Sequence, residues 1–165
     1  MTLSAQQHRD RRLARSAARL AAVQALYQRE MTGADWRAVL REFDEHRLGA
    51  EIEGVQYRDA DAAHFHATVE AAVTNQAAID QLTDRALVRG WPLGRIDSIL
   101  RALFRAAGAE ITGRPDIPAR VIIGEYLDVA QAFFGAGRVS KFVNAVLDHM
   151  IREARPQAFP DEAGP

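Results

Sequence analysis

The residues of this chain best suited to bind an anion are three arginines near its N-terminus, Arg12, Arg15 and Arg19. On a helix, positions three and seven residues apart share one stripe, so the three guanidinium groups would face the same side. Arginine binds phosphate bidentately through its planar fork of N–H donors. The spacing predicts a helix with an anion-binding end. The alternative is a solvated helix surface with an excess of arginine.

A second group of cations surrounds an aromatic side chain near the C-terminus. At 100° per residue, Phe142 falls roughly 80° from the centre of the apolar face of its predicted helix. It lies there among Arg138, Lys141, His149 and Arg152. A phenylalanine among cations suits base stacking beside phosphate contacts. Packing against a neighbouring helix is the equal alternative.

Residue patterns that support catalysis are missing from the sequence. It contains no cysteine, no glycine-rich phosphate loop and no nucleophile elbow. His64 and His66 lie two residues apart and would not face each other on a helix, so we expect solvent-facing histidines and no metal pair. We therefore expect a protein that is not an enzyme and that needs no cofactor or metal.

The charge of the chain is distributed unevenly, although its formal net charge is only −1. Residues 1–31 carry six arginines against two acids, and residues 32–84 carry four arginines against eleven acids. This asymmetry indicates a localised anion site on an otherwise neutral protein. With 48% apolar residues in 165 and no apolar run long enough for a membrane span, we expect one soluble, cytoplasmic domain.

The elements that must position these residues are all helices by pattern. The stretch 11–31 predicts one long helix, stopped at Thr32-Gly33, in which LAAVQALY is apolar on almost every side. Its alanines form a surface that another helix could approach closely. We predict an all-α, single-domain bundle of about seven helices over residues 9–154. We expect a flexible lead-in at 1–8, a loop at 46–58, a helix break at Gly90-Trp91-Pro92 and a disordered tail at 155–165.

Three stretches of the sequence resemble a known family. They are RRLARSAARLAAVQALYQREM at 11–31, RIDSILRALFRAAGAEI at 95–111, and IPARVIIGEYLDVAQAFF at 117–134, which a glycine turn joins to KFVNAVLD. Together they are similar to the bacterial NusB transcription antitermination factors, with residues 33–90 matching in pattern only. One departure is that Ser16, Ala17 and Ala18 stand where the family has part of its arginine cluster.

The resemblance implies a small all-helical RNA-binding protein. NusB proteins bind the boxA element of nascent ribosomal RNA transcripts and pair with NusE, a small-subunit ribosomal protein, within the antitermination complex of RNA polymerase. It implies that seven residues bind RNA or support the residues that bind it: Arg12, Arg15, Arg19, Tyr27, Arg138, Lys141 and Phe142. It also implies that Asp97 and Arg101 contact the partner protein.

Two alternatives stay open at this point. Similar helical domains occur at the N-terminus of ribosomal RNA cytosine methyltransferases. Because this chain contains no nucleotide-binding sheet, we expect that assignment only for a fragment or an inactive relative. The other alternative is a structural protein that forms a homodimer through its alanine-rich surface.

Overall fold

Helix α1 (Ala5–Thr32) is the element around which the others assemble. The computed structural model describes residues 2–48, 51–52, 55–56, 61–87 and 93–159. After α1, the chain forms α2 (Trp36–His46), β1 (Glu51–Ile52), β2 (Val55–Gln56), α3 (Ala62–Thr74), α4 (Gln76–Ala86), a short 3₁₀ turn (Leu93–Arg95), α5 (Ser98–Gly113), α6 (Ala119–Phe134) and α7 (Arg138–Ala154). Within the described part of the chain, the prediction of an all-α bundle of seven helices is confirmed.

Helix α1 begins earlier than predicted. The Ser4 hydroxyl accepts a hydrogen bond from the Gln7 amide N–H, and the Gln7 side chain accepts one from the Ser4 N–H. This reciprocal capping box starts the helix inside the predicted lead-in, where exposure on all sides leaves no apolar periodicity to detect. At the other end Gly33 has φ 70°, a left-handed conformation that glycine adopts without strain, and it ends the helix.

The alanine-rich surface of α1 is used inside the bundle. Ala18, Ala22 and Ala25 are almost completely buried, where α1 packs against α3 and α5. Small side chains let the helix axes approach closely, as expected from the sequence. These alanines are therefore covered by helices of the same chain and are not exposed for contact with a second copy.

Helices α4 and α5 also approach each other closely. A Cβ atom built on Gly108 of α5 would lie 2.4 Å from Cγ2 of Ile79 on α4, so no larger residue fits there without movement. The break between α3 and α4 lies at Asn75. The predicted break at Gly90-Trp91-Pro92 lies outside the described residues.

The region predicted as a loop at 46–58 contains a short pair of strands. Glu51 and Ile52 pair antiparallel with Gln56 and Val55, a two-residue ladder too short to give a strand pattern in the sequence. The rest of the predicted loop at 49–50, 53–54 and 57–58 lies outside the described residues.

The chain also continues in ordered contact beyond the end of α7. The Arg155 guanidinium donates hydrogen bonds to the carbonyl oxygens of Glu110, Ile111, Arg114 and Ile117, at 2.7 to 3.1 Å. Arg155, the first residue of the predicted tail, thus holds the chain against the α5–α6 turn, and disorder of the tail stays a prediction. Residues 160–165 lie outside the described residues.

Candidate nucleic-acid interface

Two of the predicted arginines, Arg12 and Arg15, lie between two grooves at the N-terminal end of α1. One groove, of about 570 Å³, separates α1 from the start of α3 and is lined by His8, Arg11 and Asp61 beside the two arginines. The Asp61 amide N–H donates to the Ala14 carbonyl at 3.0 Å, which fastens the start of α3 to α1. Arg15 Nε lies 3.6 Å from Asp61 Oδ2, and both side chains are partly exposed. This pairing leaves Arg15 accessible to an anion.

The second groove runs between α1 and α6 and also measures about 570 Å³. Arg12 and Arg15 form its α1 wall, and the exposed side chain of Arg120 lies on its α6 wall. Its further lining residues are Arg19, Asp116, Ile117, Pro118, Val121, Gly124, Glu125 and Asp128. Cations on both walls give this groove the donors that a phosphate backbone requires.

Arg19, the third residue of the predicted stripe, is 2% exposed, so its expected place on the surface is wrong. Its Nε lies 2.9 Å from Glu110 Oε2 and its Nη2 lies 2.9 Å from Glu110 Oε1, an Arg–carboxylate pair joined by two parallel hydrogen bonds. Its Nη1 lies 3.7 Å from Glu125 Oε2, which also accepts a hydrogen bond from the Ser16 hydroxyl at 2.8 Å. Arg19 therefore lies beneath the groove and, through Glu110 of α5 and Glu125 of α6, fixes the rotation of α1 against these two helices.

Glu110 is the centre of a buried polar cluster that the sequence did not predict. It is 1% exposed and accepts hydrogen bonds from Arg19 and from the Tyr126 hydroxyl. Burial opposes its ionisation, but contacts with His64, Arg19 and Tyr126 outweigh burial and lower the pKa of Glu110 from 4.5 to about 2. Burial beside this carboxylate raises the pKa of the Tyr126 phenol well above its usual value. The cluster thus joins α1, α3, α5 and α6 around one ionised carboxylate.

His64 belongs to the same cluster, so its predicted exposure to solvent is wrong. It is 3% exposed, and its Nε2 lies 3.2 Å from Glu110 Oε1, too oblique for a well-formed hydrogen bond. Arg114 Nη1 lies 3.4 Å from His64 Nδ1. His66 is partly exposed and pairs with Asp44 on α2.

Tyr27 lies at the other end of α1. Fifteen residues separate it from Arg12, which is about 22 Å along a helix. It is 37% exposed and lines an apolar groove of about 340 Å³ with Met31, Ile99 and Phe133. The structure therefore does not bring Tyr27 into the groove of Arg12 and Arg15.

The predicted residues of α7 do not line either of the grooves beside Arg12 and Arg15. Three residues separate the start of α7 from the end of α6, where Phe133 lines the apolar groove. Arg138 and Lys141 are exposed there. Phe142 is half-buried and meets Phe104 of α5 edge-on, with ring centroids 6.1 Å apart. This geometry favours the packing alternative for Phe142.

The two residues expected to contact a partner protein have internal roles. Asp97 caps α5, since its Oδ1 accepts a hydrogen bond from the Ile99 amide N–H at 2.7 Å. Arg101 is 13% exposed, pairs with Glu30 of α1 and donates to the Ile96 carbonyl at 2.8 Å. The guanidinium thus ties α5 to α1, and contact of Asp97 and Arg101 with a partner protein stays a prediction.

Sequence reasoning missed three cations of the interface: His8, Arg11 and Arg120. His8 falls in the predicted lead-in, whereas Arg11 falls at the start of the helix predicted at 11–31 but outside the predicted stripe of Arg12, Arg15 and Arg19. Arg120 occupies the first turn of α6, one turn before Gly124 and opposite the buried Ile122. An exposed arginine in the turn after a helix-starting proline was a detectable signal.

The described part of the chain is thus a helical bundle that presents exposed arginines at the N-terminal end of α1. Residues 16–152 match the model of the NusB family. A transcription antitermination protein NusB from Nitrobacter hamburgensis is 53% identical over 145 residues, covering 88% of this chain and 90% of that protein. The chain therefore belongs to the NusB family.

Solved structures agree with this assignment. A crystal form of T. maritima NusB superposes with a TM-score of 0.71 at 29% identity, covering 88% of this chain and 96% of that chain. A chain in the crystal structure of the antitermination factors NusB and NusE with double-stranded RNA superposes with a TM-score of 0.65 at 21% identity, covering 85% of this chain and 97% of that chain. At that identity, the second likeness shows the fold alone. In the described part of the chain, no helix is long and apolar enough to cross a membrane.

Proposed function

We propose that this protein binds boxA RNA of nascent ribosomal RNA transcripts together with the ribosomal protein NusE, and so promotes processive transcription of ribosomal RNA operons. In this role it would join the antitermination complex of RNA polymerase in the cytoplasm. It would act by binding RNA and protein, without catalysis. Family membership and the solved NusB–NusE complex with RNA support the proposal.

The observation that carries the proposal is the set of exposed cations at the N-terminal end of α1. Arg12 and Arg15 lie between two grooves, and Arg120 faces them across one groove. Phosphates bound there would be neutralised by guanidinium groups, and the released counterions would make the affinity fall with salt. The buried pair of Arg19 and Glu110 supports this surface by holding α1 at a fixed rotation.

We assign NusE to the opposite end of α1. Tyr27, Met31, Ile99 and Phe133 form an apolar groove there, and Tyr27 and Met31 are 37% and 51% exposed. Exposed apolar side chains around a groove are typical of protein interfaces. RNA at one end and protein at the other would let both bind at once, which agrees with a joint complex.

The test is a gel shift with boxA RNA and a scrambled RNA of equal length, with and without NusE. We expect a preference for boxA that strengthens with NusE. Arg12→Ala and Arg15→Ala should weaken binding, and each should reduce the slope of log affinity against log salt by about 1. Arg41→Ala, an exposed arginine of α2 away from the grooves, is the matched control and should bind normally. Equal binding of boxA and scrambled RNA would contradict the proposal.

A further inference from the structure

Gly124 has no structural reason to be glycine in this protein. It lies in the middle of α6, where glycine destabilises a helix relative to alanine. A Cβ built on Gly108 would collide with Ile79, whereas a Cβ built on Gly124 meets nothing within 4 Å. Packing explains the first glycine and not the second. Gly124 instead opens a notch in the groove between α1 and α6.

The notch lies between two side chains of opposite charge. Arg120, Gly124 and Asp128 follow one another at four-residue spacing, so they share one face of α6. All three are exposed, and all three line the groove. Within the described part of the chain, neither Arg120 nor Asp128 has a hydrogen bond or an ion pair. A cation and a carboxylate therefore remain available for a ligand on either side of the notch.

The other carboxylates of this groove are already engaged. Asp116 accepts two hydrogen bonds from the guanidinium of Arg114, at 3.0 and 2.9 Å. Glu125 accepts the Ser16 hydroxyl at 2.8 Å and lies 3.7 Å from Arg19 Nη1. Asp128 is thus the carboxylate of the groove whose oxygen atoms are open to a ligand.

We propose that this notch binds an unpaired guanine base of the RNA, with Asp128 reading its Watson–Crick edge and Arg120 contacting a neighbouring phosphate. The inference rests on the proposed RNA binding and names the base that the site would select. Absence of a side chain at Gly124 lets a flat base lie against the helix backbone, with the exposed Val121 beside it. Unpaired RNA bases are commonly recognised by such contacts to their edges.

The preference for guanine follows from the donors on each base. An ionised carboxylate only accepts hydrogen bonds, and it can accept two in parallel. Guanine presents the adjacent donors N1–H and N2–H₂ on its Watson–Crick edge. Adenine and cytosine present one amino donor beside a ring nitrogen that accepts, and uracil presents N3–H between two carbonyl oxygens. Guanine therefore gives Asp128 two charge-assisted bonds, and the other bases give at most one.

The test measures binding of the full chain to fluorescein-labelled uridine oligomers that carry one central guanosine, inosine, adenosine or cytidine. Inosine retains N1–H and lacks the N2 amino group. For the wild type we expect about tenfold tighter binding of the guanosine oligomer than of the inosine oligomer. Asp128→Asn should reduce that ratio to about twofold or less, whereas Glu70→Gln, which removes an exposed carboxylate on α3, should preserve it.

Two further variants probe the notch and the phosphate contact. Gly124→Leu should fill the notch and abolish the guanosine preference, while circular dichroism shows an unchanged helical fold. Arg120→Ala should weaken binding of every oligomer and reduce the salt slope by about 1, unlike Arg41→Ala.

The outcomes separate the base site from RNA binding as such. Equal binding of the guanosine and inosine oligomers by the wild type overturns the base site and leaves RNA binding intact. Persistence of the preference in both Asp128→Asn and Gly124→Leu also overturns it. Failure of the wild type to bind any of these oligomers or boxA, with or without NusE, overturns both the base site and the proposed function.

Discussion

Replacement of Glu110 by glutamine should destabilise the protein strongly while retaining the shape of the side chain. The variant removes the carboxylate that pairs with the guanidinium of Arg19, 2% exposed, through two hydrogen bonds, and leaves only Glu125 at 3.7 Å. Removing one member of a buried ion pair costs roughly 3–5 kcal/mol, because the remaining charge is desolvated and unpaired. The pKa of Glu110, lowered from 4.5 to about 2, corresponds to about 3 kcal/mol of stabilisation at neutral pH, which agrees with that range.

The same pKa fixes how the effect depends on pH. The folded protein binds a proton at Glu110 less readily than the unfolded chain does, so folding is favoured when the carboxylate is ionised. This stabilisation is complete above pH 4.5 and is lost as the pH falls towards about 2. The wild-type and Glu110→Gln proteins should therefore differ most at neutral pH and converge in acid.

Urea denaturation followed by circular dichroism between neutral and acid pH measures both effects. In thermal denaturation at neutral pH, the melting temperature of the variant should be lower by about 10 °C, since 1 kcal/mol changes the melting temperature of a chain of this size by about 2–4 °C. Glu70→Gln, an exposed carboxylate without a buried partner, is the matched control and should change the free energy of unfolding by less than about 0.5 kcal/mol. Equal unfolding free energies for the wild type and Glu110→Gln at neutral pH would refute the assignment of an ionised, paired Glu110.

Three further predictions concern packing and the C-terminal contacts, each measured by urea denaturation. Gly108→Ala should destabilise by about 1–3 kcal/mol because of its contact with Ile79, whereas Gly124→Ala should stabilise by about 0.5–1 kcal/mol; the reverse order would contradict the packing of α5. Arg155→Ala should lower the free energy of unfolding by about 2 kcal/mol, because four carbonyl oxygens lose a charged donor. An unchanged urea midpoint would show that the C-terminal contacts do not hold the α5–α6 turn. Phe142→Ala should lower the free energy of unfolding by about 2 kcal/mol, because the variant loses apolar burial and the edge-on contact with Phe104. No change in stability would favour stacking of Phe142 on RNA instead.

The bundle itself was predictable because its helices carry clear apolar periods and clear stops. Thr32-Gly33 and the Gly135–Gly137 turn end helices by ordinary turn chemistry, and apolar residues every three or four positions mark the faces that pack. Boundaries such as Ala5 were less predictable, because a capping box on an exposed helix end leaves no apolar pattern.

The site was predictable only in part, since charge pattern does not distinguish exposed cations from buried ones. Arg12 and Arg19 lie on one stripe of α1, yet Arg19 lies further along it, where α5 and α6 cover the helix. The missing information was its partner Glu110, ninety-one residues away. A single acid within the apolar run RAAGAEI was the available signal that a buried cation must lie opposite.

For Phe142, too, the sequence did not show whether the side chain is packed or exposed. Its angle on the helical wheel allowed both stacking on RNA and packing on a helix, and only the position of Phe104 distinguishes them. Sequence places residues on a face of their own helix, but the neighbouring helices decide which part of that face is covered.

Binding of boxA RNA by the N-terminal end of α1 is tested by affinity measurements in the presence of NusE over a range of salt concentrations. The proteins compared are the wild type and the double variant Arg12→Ala/Arg15→Ala. We expect the wild type to prefer boxA over scrambled RNA, and the double variant to bind more weakly with a salt slope smaller by about 2. Unchanged affinity and slope in the double variant would contradict the claim that this end of α1 binds the RNA.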